Sequence, residues 1–511
     1  MPTNPPVITT PPVAGVPQYT LTLAKAEAAI DEGTTAKFDL SGTPMSATGQ
    51  TYLQVYLENM AHYTLFARQE PLASQANGSF SMQLSTEANA KPGSYTGTMN
   101  VVACSDAACT IRSQAMLIPY AITIYPRGLE RHAAYDRPLA PLEGAAEWTT
   151  FQGNAGHTGF VPVTLDPAKF AVRYQYTAKT AAGVEIPMSE IANGKGIFYF
   201  STGGSCCDAV EYKTYALNEG TAVTRWVFEH TNPLAPAAHA PAIAGDQIFV
   251  IGGEMGSTTV ESLSATGQRS RQTVGGRRTG YFPAPTVYDG IVYTPVSNDF
   301  SVVTAFDAKT GFSVFSQGTG VTAAGWTPAV DADYYYQYAS NLLYVSNRQT
   351  GQLAFTIAGP GTAPRYQPLF APILAARDTV VGIDERKLVV FDTALRNVRW
   401  SLDGRFVRSA SSDGNNLFVI NNAGLALEVR NINDGTLLWT WQSVDFFTNY
   451  VSEPLVTNNL VIVSTEHATY AIDRATHATV WTYPASGNLS LSPNGTLFIK
   501  GKTKVTAIAL H

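Results

Sequence analysis

The chain has 511 residues, of which 45% are hydrophobic and only 14% are charged, and its formal net charge is −6 at pH 7. A chain of this length can form two or three domains, each with its own core. The negative charge, with no extended Lys/Arg cluster, argues against nucleic acid or an anionic membrane surface as a partner, because both need a positive footprint. No apolar run reaches the ~18 residues of a membrane-spanning helix.

Residues 1–17, MPTNPPVITTPPVAGVP, are rich in Pro and Thr and predict an extended tether. The stretch has neither a basic n-region nor an apolar h-region, so it is not a signal peptide. We expect that an export signal preceded Met1 and was removed. A lipid anchor upstream of Met1 is left open.

Residues 18–125 contain six segments with strand character, separated by Gly, Pro and Asn. The segments are 19–24, 36–42, 51–59, 78–86, 93–104 and 115–125. This pattern predicts a small β-sandwich. The stretch KPGSYTGTMNVVACSDAAC resembles the last strands of bacterial Ig-like surface modules, and the resemblance implies an Ig-like domain.

Two of the four cysteines, Cys104 and Cys109, lie in VVACSDAACTIRS. Two strands joined by SDAA would place them opposite each other, so we predict a structural disulfide that staples a hairpin. A metal site would need further ligands nearby, and the sequence has none there. Since Cys206 and Cys207 can form a second pair, the cysteines predict an extracytoplasmic location: the periplasm, the outer membrane or the cell surface.

Residues 126–147 are dominated by Pro, Ala and charges and predict a linker. From Trp148 to His511 the chain repeats itself. One signature is an Asx residue followed eight residues later by a large aromatic one. The copies run from Asn218 to Trp226, Asp307 to Phe315, Asn347 to Phe355, Asp392 to Trp400, Asn431 to Trp439 and Asp473 to Trp481. We expect the Asx to bond its own turn, Gly311, Gly351 and Gly435 to supply positive φ, and the aromatic residue to pack on the neighbouring sheet.

A second signature, Pro-x-h-x-(Asp/Gly/Asn)-x-x-h-h-h with h apolar, starts each repeat. It begins at Pro241, Pro285, Pro328, Pro372 and Pro454, with looser copies near Ser189, Ser411 and Leu491. Eight units of four short strands predict an eight-bladed β-propeller over residues 148–511, with seven blades as the alternative. The last unit lacks its outer strand, and KFAVRYQYT (169–177) is expected to supply it as an N-to-C clasp.

These repeats resemble the quinoprotein-type propeller repeat, A-L-D-x-x-T-G-x-x-x-W. The stretch WTTFQGNAGHTGF (148–160) also resembles the W-x-x-F-x-G-(N/D)-x-x-H-T-G opening of such domains. The resemblance implies the propeller fold. The family includes alcohol dehydrogenases that use pyrroloquinoline quinone (PQQ) with calcium. It also includes the non-catalytic lipoprotein of the outer-membrane β-barrel assembly machinery.

Cys206 and Cys207 are adjacent and are followed by Asp208. Adjacent Cα atoms lie ~3.8 Å apart, less than an ordinary disulfide spans, so a bridge here is strained. CCDAV (206–210) resembles the vicinal-disulfide run C-C-D-x-V-N-R-G of the quinone enzymes, which implies that Cys206, Cys207 and Asp208 contact a cofactor. Glu211, Tyr212 and Lys213 depart from that run. A loop-stiffening disulfide, a quinone contact and two free thiols are the alternatives.

Further candidates for chemistry do not converge on a site. Glu229, Glu254 and Glu261 lie in the half of the sequence where the enzymes keep calcium ligands, but in no matching context, and catalytic residues stay unassigned. There is no C-x-x-C-H haem site and no His/Asp pattern for a metal. His157 is expected to be buried and to tie its segment to the first blade.

Two compositional clusters complete the list. We expect Tyr334, Tyr335, Tyr336 and Tyr338 to pack between blades, with a platform for a glycan or peptide as the alternative. The stretch 267–281, with four arginines, is expected to be a solvated loop or an anion or partner contact.

The sequence therefore supports two hypotheses. The first is an exported, non-catalytic binding or scaffold protein without a cofactor, whose propeller binds an envelope protein, peptide or glycan. The second is a PQQ-dependent oxidoreductase with a vicinal disulfide at its cofactor site.

Overall fold

A computed structural model describes residues 18–45, 51–59, 62, 64–67, 72–203, 212–230, 240–254, 257–274, 284–298, 300–318, 327–339, 341–361, 370–384, 387–422, 425–444 and 448–511. The chain divides into two compact units, 1–127 and 128–511. Nearly all regular structure in the described ranges is β-strand. Within them, no helix is long and apolar enough to span a membrane.

The first unit contains two sheets. Its strands are β1 Tyr19–Leu21, β2 Ala26–Asp31, β3 Lys37–Pro44, β4 Tyr52–Leu57, β5 Leu72–Ala73, β6 Phe80–Ser85, β7 Gly93–Cys104 and β8 Met116–Tyr125. One sheet has the order β1-β3-β6 and the other β2-β8-β7-β4-β5. All pairings are antiparallel except that of β2 with β8, which is parallel.

Buried side chains from both sheets form a single core, with Leu40 and Phe80 from one sheet and Leu53, Val101 and Ile122 from the other. The first unit is therefore a β-sandwich, as predicted, while its assignment as Ig-like stays a prediction. The sequence missed β2, whose AEAAID run has three alanines and two carboxylates and only one β-branched residue, Ile30.

Cys104 and Cys109 form the predicted disulfide, with their Cα atoms 4.8 Å apart. The expected hairpin geometry is wrong in one respect. Cys109 lies in the turn itself, with φ of 57°, and Arg112 is the residue that pairs with Cys104. The disulfide therefore closes the turn rather than joining two facing strands.

The second unit begins with β9 Leu129–Arg131 and β10 Ala171–Thr177, and two single-turn 3-10 helices cover Phe151–Gly153 and Pro167–Lys169. Four-stranded sheets then follow in chain order. Sheet 1 holds β11 Ala192–Gly194, β12 Ile197–Thr202, β13 Lys213–Asn218 and β14 Thr224–Glu229. Sheet 2 holds β15 Ala242–Ala244, β16 Gln247–Glu254, β17 Ser257–Ser264 and β18 Arg269–Val274. Sheet 3 holds β19 Thr286–Tyr288, β20 Ile291–Asn298, β21 Phe300–Asp307 and β22 Ser313–Gly318.

The remaining sheets continue the same pattern. Sheet 4 holds β23 Ala329–Val330, β24 Tyr334–Ala339, β25 Leu342–Asn347 and β26 Leu353–Ala358. Sheet 5 holds β27 Ile373–Ala376, β28 Thr379–Asp384, β29 Lys387–Asp392 and β30 Asn397–Asp403. Sheet 6 holds β31 Ser411–Ser412, β32 Asn416–Asn421, β33 Ala426–Asn431 and β34 Leu437–Trp441. Sheet 7 holds β35 Leu455–Val456, β36 Leu460–Ser464, β37 Thr469–Asp473 and β38 Thr479–Tyr483. Sheet 8 holds β39 Asn488–Leu491, β40 Thr496–Lys500 and β41 Lys504–Ala509, followed by β10 and β9.

The first strands of successive sheets lie next to one another, and β39 of sheet 8 contacts β11 of sheet 1. This is the arrangement of a β-propeller, as predicted. The eight sheets match the eight predicted units, while the blade count of the closed ring stays a prediction. Each strict repeat start predicted from proline directly precedes the first strand of its sheet.

The predicted clasp is confirmed, because β10 pairs antiparallel with β41 from Ala171 opposite Ala509 to Thr177 opposite Lys504. The prediction that 126–147 is only a linker needs correction. Leu129–Arg131 pairs with β10 and forms the outermost strand of sheet 8. This strand was missed because three residues are too few to show an alternating pattern.

The turns between the third and fourth strands have the predicted chemistry. Asp307 Oδ1 accepts the Thr310 N–H at 2.7 Å, and Asp473 Oδ1 accepts the Thr476 N–H at 2.7 Å. Gly435 has φ of 76°, and a Cβ there would lie 2.9 Å from the ring of Trp400, which belongs to the preceding sheet. The aromatic residue of one sheet thus packs on the turn of the next.

Sheet 2 lacks the aromatic residue, and Arg271 takes its place. Its side chain lies against Gly311, and its guanidinium stands 3.8 Å from the ring centroid of Phe312. Arg269 and Arg271 are therefore on strand β18 and not in the expected solvated loop. Arg277 and Arg278 lie outside the described residues.

Candidate functional site

Residues 148–161, here called the axial segment, contact the first strands of seven sheets in order. Trp148 exchanges two backbone hydrogen bonds of 2.9 Å with Asn193 of sheet 1, and Thr150 Oγ1 donates to the carbonyl of Pro285 before sheet 3. The other contacts are backbone hydrogen bonds of 2.8 Å. The N–H of Ile243 donates to the carbonyl of Thr149, Val330 to Ala155, Leu374 to Gly156, Ser412 to Thr158 and Val456 to Gly159. Backbone therefore fills the centre of the ring at this level.

Left-handed backbone positions let the segment coil tightly enough to do this. Gln152, Gly153, His157 and Gly159 have φ of 49°, 87°, 57° and 61°. A Cβ at Gly159 would lie 2.5 Å from Ser411 Oγ and 2.9 Å from the carbonyl oxygen of Pro454. Glycine is therefore required here both for its conformation and for its lack of a side chain.

His157 is fully buried at the centre of this segment. Its Nδ1 lies 3.1 Å from the carbonyl oxygen of Pro372, and its Nε2 lies 3.1 Å from Thr286 Oγ1. Burial lowers the pKa of the ring to about 4, so it is neutral near pH 7. Since a carbonyl only accepts, Nδ1 carries the proton of the neutral ring, and Nε2 is left as an acceptor. The Thr286 hydroxyl beside Nε2 has a single proton, which it also directs to the carbonyl of Pro328 at 2.8 Å. The ring joins sheets 3 and 5, not the first blade as expected.

The amide of Gln152 is anchored on the opposite side of the segment. Its Nε2 donates to the carbonyl of Ala410 and to Ser411 Oγ, both at 2.9 Å. The carbonyl acceptor fixes which amide atom is nitrogen. The other amide atom is therefore Oε1, and in the described part of the chain this buried acceptor has no hydrogen-bond partner.

The axial segment forms one wall of a chamber of about 590 Å³, counted with the solvent at its mouth. The other walls come from residues at the starts of the first strands of sheets 1, 2, 3, 7 and 8. The polar side chains of the lining are those of Thr150, Gln152, Glu190, Glu453, Asn488 and Ser490. Its apolar part includes Trp148, Ile191, Pro241, Leu455 and Leu489.

Glu190 and Glu453 occupy equivalent positions of two repeats. Each follows a serine, and each serine Oγ accepts the backbone N–H of the second strand of its sheet at 2.9 Å: Ser189 from Ser201, and Ser452 from Ser464. This repeated serine contact fixes the backbone before the first strand. The next residue, glutamate in both repeats, then lines the chamber.

The two carboxylates influence each other. Burial raises the pKa of Glu453 above its ordinary value, the nearby Arg408 opposes this, and Glu190 raises it further. Arg408 donates through Nε and Nη2 to the carbonyl of Tyr450, both at 3.2 Å. Glu190 Oε1 accepts from Asn488 Nδ2 at 2.7 Å. The chamber is thus an acidic, hydrogen-bonding recess.

The residues predicted from the quinone-enzyme resemblance are not brought together here. Cys206, Cys207 and Asp208 lie outside the described residues, between β12 and β13. Glu229 is exposed and pairs with Lys213 at 3.0 Å. The side chain of Glu254 is likewise outside the described part. Glu261 is buried away from the chamber and pairs with Arg269 at 2.7 Å.

Glu261 also belongs to a chain of hydrogen bonds that sequence reasoning missed. It contacts Nδ1 of His230, whose Nε2 lies 2.8 Å from Thr214 Oγ1, and Thr214 contacts Ser201 at 3.0 Å. Thr214 is fully buried, so the chain joins sheets 1 and 2 rather than meeting a substrate. In the described ranges, no group of three His, Cys, Asp or Glu could hold a metal ion.

The tyrosine run packs in the core, as predicted. The ring of Tyr335 is stacked on that of Phe315 with centroids 5.8 Å apart, and Tyr338 contacts Phe391 at 5.5 Å. Tyr335, Tyr336 and Tyr338 are all buried. These rings are therefore committed to packing between and within sheets.

Comparisons with known proteins point in two directions. A profile of the family described as "Outer membrane protein assembly factor BamB" matches residues 299–510, fewer than half of the chain. The crystal structure of BamB from Moraxella catarrhalis is similar at a TM-score of 0.50 and 12% identity, covering 66% of this chain and 97% of that one. A europium-containing methanol dehydrogenase is similar at a TM-score of 0.54 and 14% identity, covering 69% and 89%. None of the curated protein sequences matches.

Proposed function

Because the chain is a PQQ-like β-propeller repeat protein, we propose that it is an exported, non-catalytic binding protein. Its propeller holds an envelope protein, a peptide or a glycan. The disulfide between Cys104 and Cys109 supports export, since such bonds persist in oxidising compartments. The similarity to an outer-membrane assembly factor supports a partner in the cell envelope. Residues 18–125 serve as an Ig-like module of the same chain.

The observation that carries the non-catalytic assignment is the lining of the chamber. PQQ is itself a tricarboxylate, and both charged side chains that the described residues contribute to the lining, those of Glu190 and Glu453, are acidic. The alcohol dehydrogenases that the repeats resemble use this quinone together with a metal ion. Among the described residues no third acidic, His or Cys ligand joins these two glutamates. The described donor set therefore does not fit the quinone with its metal.

The second candidate is a PQQ-dependent oxidoreductase. It is supported by the fold similarity to a methanol dehydrogenase and by the CCDAV run that contains Cys206, Cys207 and Asp208. Under this alternative the adjacent cysteines form a disulfide that contacts the quinone.

Quinone uptake separates the two functions. The full chain is dialysed against PQQ and calcium chloride, and quinone absorbance and alcohol-dependent dye reduction are followed. We expect no stoichiometric uptake and no reduction. A one-to-one complex that is lost in the Cys206→Ser/Cys207→Ser variant would replace our proposal with the alternative.

Partner binding is tested separately with the immobilised full chain and detergent-extracted envelope proteins. We expect a specific partner that excess free protein displaces and that the Cys206→Ser/Cys207→Ser variant still captures. If displaceable capture of proteins, peptides and glycan arrays is absent altogether, the binding function is wrong.

A further inference from the structure

The chamber presents hydrogen-bond acceptors to whatever enters it. Glu190 and Glu453 contribute carboxylates. Gln152 Oε1, which only accepts, and Ser490 Oγ, which can accept or donate, are buried and have no hydrogen-bond partner among the residues that the structure describes. Gln152 and Ser490 are only 5% and 3% exposed. Leaving a buried acceptor unpaired is unfavourable, so such an atom at the wall of a cavity indicates a donor-bearing ligand.

Among the described residues, no lysine or arginine lines the chamber. Arg408 donates to the carbonyl of Tyr450, and Lys500 Nζ donates to the carbonyl of Met188 at 3.0 Å. Both are thus held by backbone carbonyls behind the wall. The charge at the chamber surface is that of the two glutamates, which favours a cationic ligand.

The form of the cation follows from the rest of the lining. Calcium prefers six to eight oxygen ligands, typically with several carboxylates. Two carboxylates beside walls formed by Trp148, Ile191 and Leu455 suit a charged head on an apolar stem better. Glu190 Oε1 already accepts from Asn488, which disfavours the two-oxygen pairing that a guanidinium prefers. An ammonium group has three donors and pairs well with separate acceptors.

We propose that the chamber binds the side chain of a lysine from a peptide or protein partner. The ammonium group donates to Glu190, Glu453 and Gln152 Oε1, and the methylene stem packs against the apolar wall. This deepens the proposed binding function and rests on it. The mouth of the propeller then selects partners that expose a lysine.

Small probes test this without knowledge of the partner. The full chain is titrated in HEPES buffer, which neither precipitates calcium nor contains a primary amine. The probes are n-butylammonium chloride, calcium chloride, and acetyl-Ala-X-Ala-amide peptides in which X is Lys, Arg or norleucine. Trp148 lines the chamber, so tryptophan emission reports occupancy. We expect saturable changes with n-butylammonium and the Lys peptide, and at least about tenfold weaker binding of the norleucine and Arg peptides.

The variants Glu190→Gln and Glu453→Gln remove the charges, and each should weaken the Lys peptide by about tenfold. Glu143→Gln is the matched control, since Glu143 is exposed and outside the lining, and its affinity should not change. Far-UV circular dichroism checks folding. If a variant does not fold, the peptide series on the unaltered chain still decides.

Three results would overturn the proposal. If calcium changes the tryptophan emission and neither n-butylammonium nor the Lys peptide does, the chamber is a metal site. Equal binding of the Lys and norleucine peptides would make it an apolar pocket. Lys-peptide binding that survives both glutamate changes would place the site elsewhere. Envelope capture without any amine binding would refute the lysine site alone and leave the proposed function standing.

Discussion

Lowering the pH from about 7 to about 5 should destabilise the second unit through one buried ring, that of His157. A buried neutral imidazole excludes a proton that the unfolded chain binds. The relevant perturbation is therefore mild acid, and its matched variant is His157→Gln, which keeps an amide donor and acceptor but does not titrate.

The magnitude follows from the shift in pKa. Burial lowers the pKa of His157 from 6.5 to about 4. Because the unfolded state binds more protons between these values, stability is fully present above pH 6.5 and falls as the pH decreases toward 4. At about 1.36 kcal/mol per pKa unit the whole shift corresponds to about 3 kcal/mol, of which about 2 kcal/mol is lost by pH ~5.

The assay is urea unfolding followed by tryptophan fluorescence. All seven tryptophans lie in the second unit, so the signal reports that unit alone. His477→Gln is the control, because His477 is exposed and also has a positive φ, 60° against 57° for His157. We expect the unaltered chain and the control to lose stability alike toward pH ~5. The His157→Gln variant, less stable at pH ~7, should lose about 2 kcal/mol less.

Parallel pH profiles for the unaltered chain and His157→Gln would refute the reasoning. They would mean that the folded state binds the proton as readily as the unfolded state. A steeper profile for the variant would refute it equally.

Gly435→Ala should lower the free energy of unfolding by at least about 1–2 kcal/mol, because the position has a φ of 76° and the new Cβ would lie 2.9 Å from the ring of Trp400. Gly245→Ala is the control, since Gly245 has a φ of 64° but no atom within 4 Å of the new Cβ. The difference between the urea midpoints of the two variants reports the contact with Trp400. Glu453→Gln should raise the free energy of unfolding near neutral pH. It should also reduce the loss of stability that accompanies rising pH, because the pKa of Glu453 is raised in the folded state. Urea midpoints that depend on pH in the same way for the variant and the unaltered chain would contradict this. Cys104→Ser/Cys109→Ser should destabilise the first unit by roughly 2 kcal/mol, measured as unfolding followed by circular dichroism. Unfolding of the second unit, followed by tryptophan fluorescence, should not change. A shift of both transitions together would contradict independent unfolding of the two units.

Much of the propeller could be predicted because its information is local. An Asx such as Asp473 bonds its own turn three residues later, and proline precedes the first strand, so every repeat carries its own signal. Very short strands carry no such local signal. Leu129–Arg131 is a strand because it pairs with β10, and its three residues show no pattern of their own. Arg271 was placed in a loop because its position carries no aromatic residue. Its aliphatic stem takes the place of the aromatic ring by packing on the turn of the next sheet, at Gly311 and Phe312, and this contact is not visible in the local sequence.

The candidate site was harder to predict because its contacts join distant residues. Gln152 meets Ala410 across 258 positions, and nothing in either local sequence marks the contact. The pair Glu190 and Glu453 did carry a signal. Ser-Glu occurs just before the first strand in both repeats. Aligning the repeats by charge, and not only by apolar pattern, would have placed both carboxylates at the chamber.

The pairing of β10 with β41 has a consequence for the order of folding. Thr506 lies opposite Gln175, so the ring cannot close until Lys504–Ala509 has been synthesised. Until then β10 and β40 each present an open edge, which is prone to pair with other chains. Contacts this distant in sequence also slow folding. A chain without Lys504–Ala509 should therefore aggregate during synthesis, because the edges of β10 and β40 then stay unpaired.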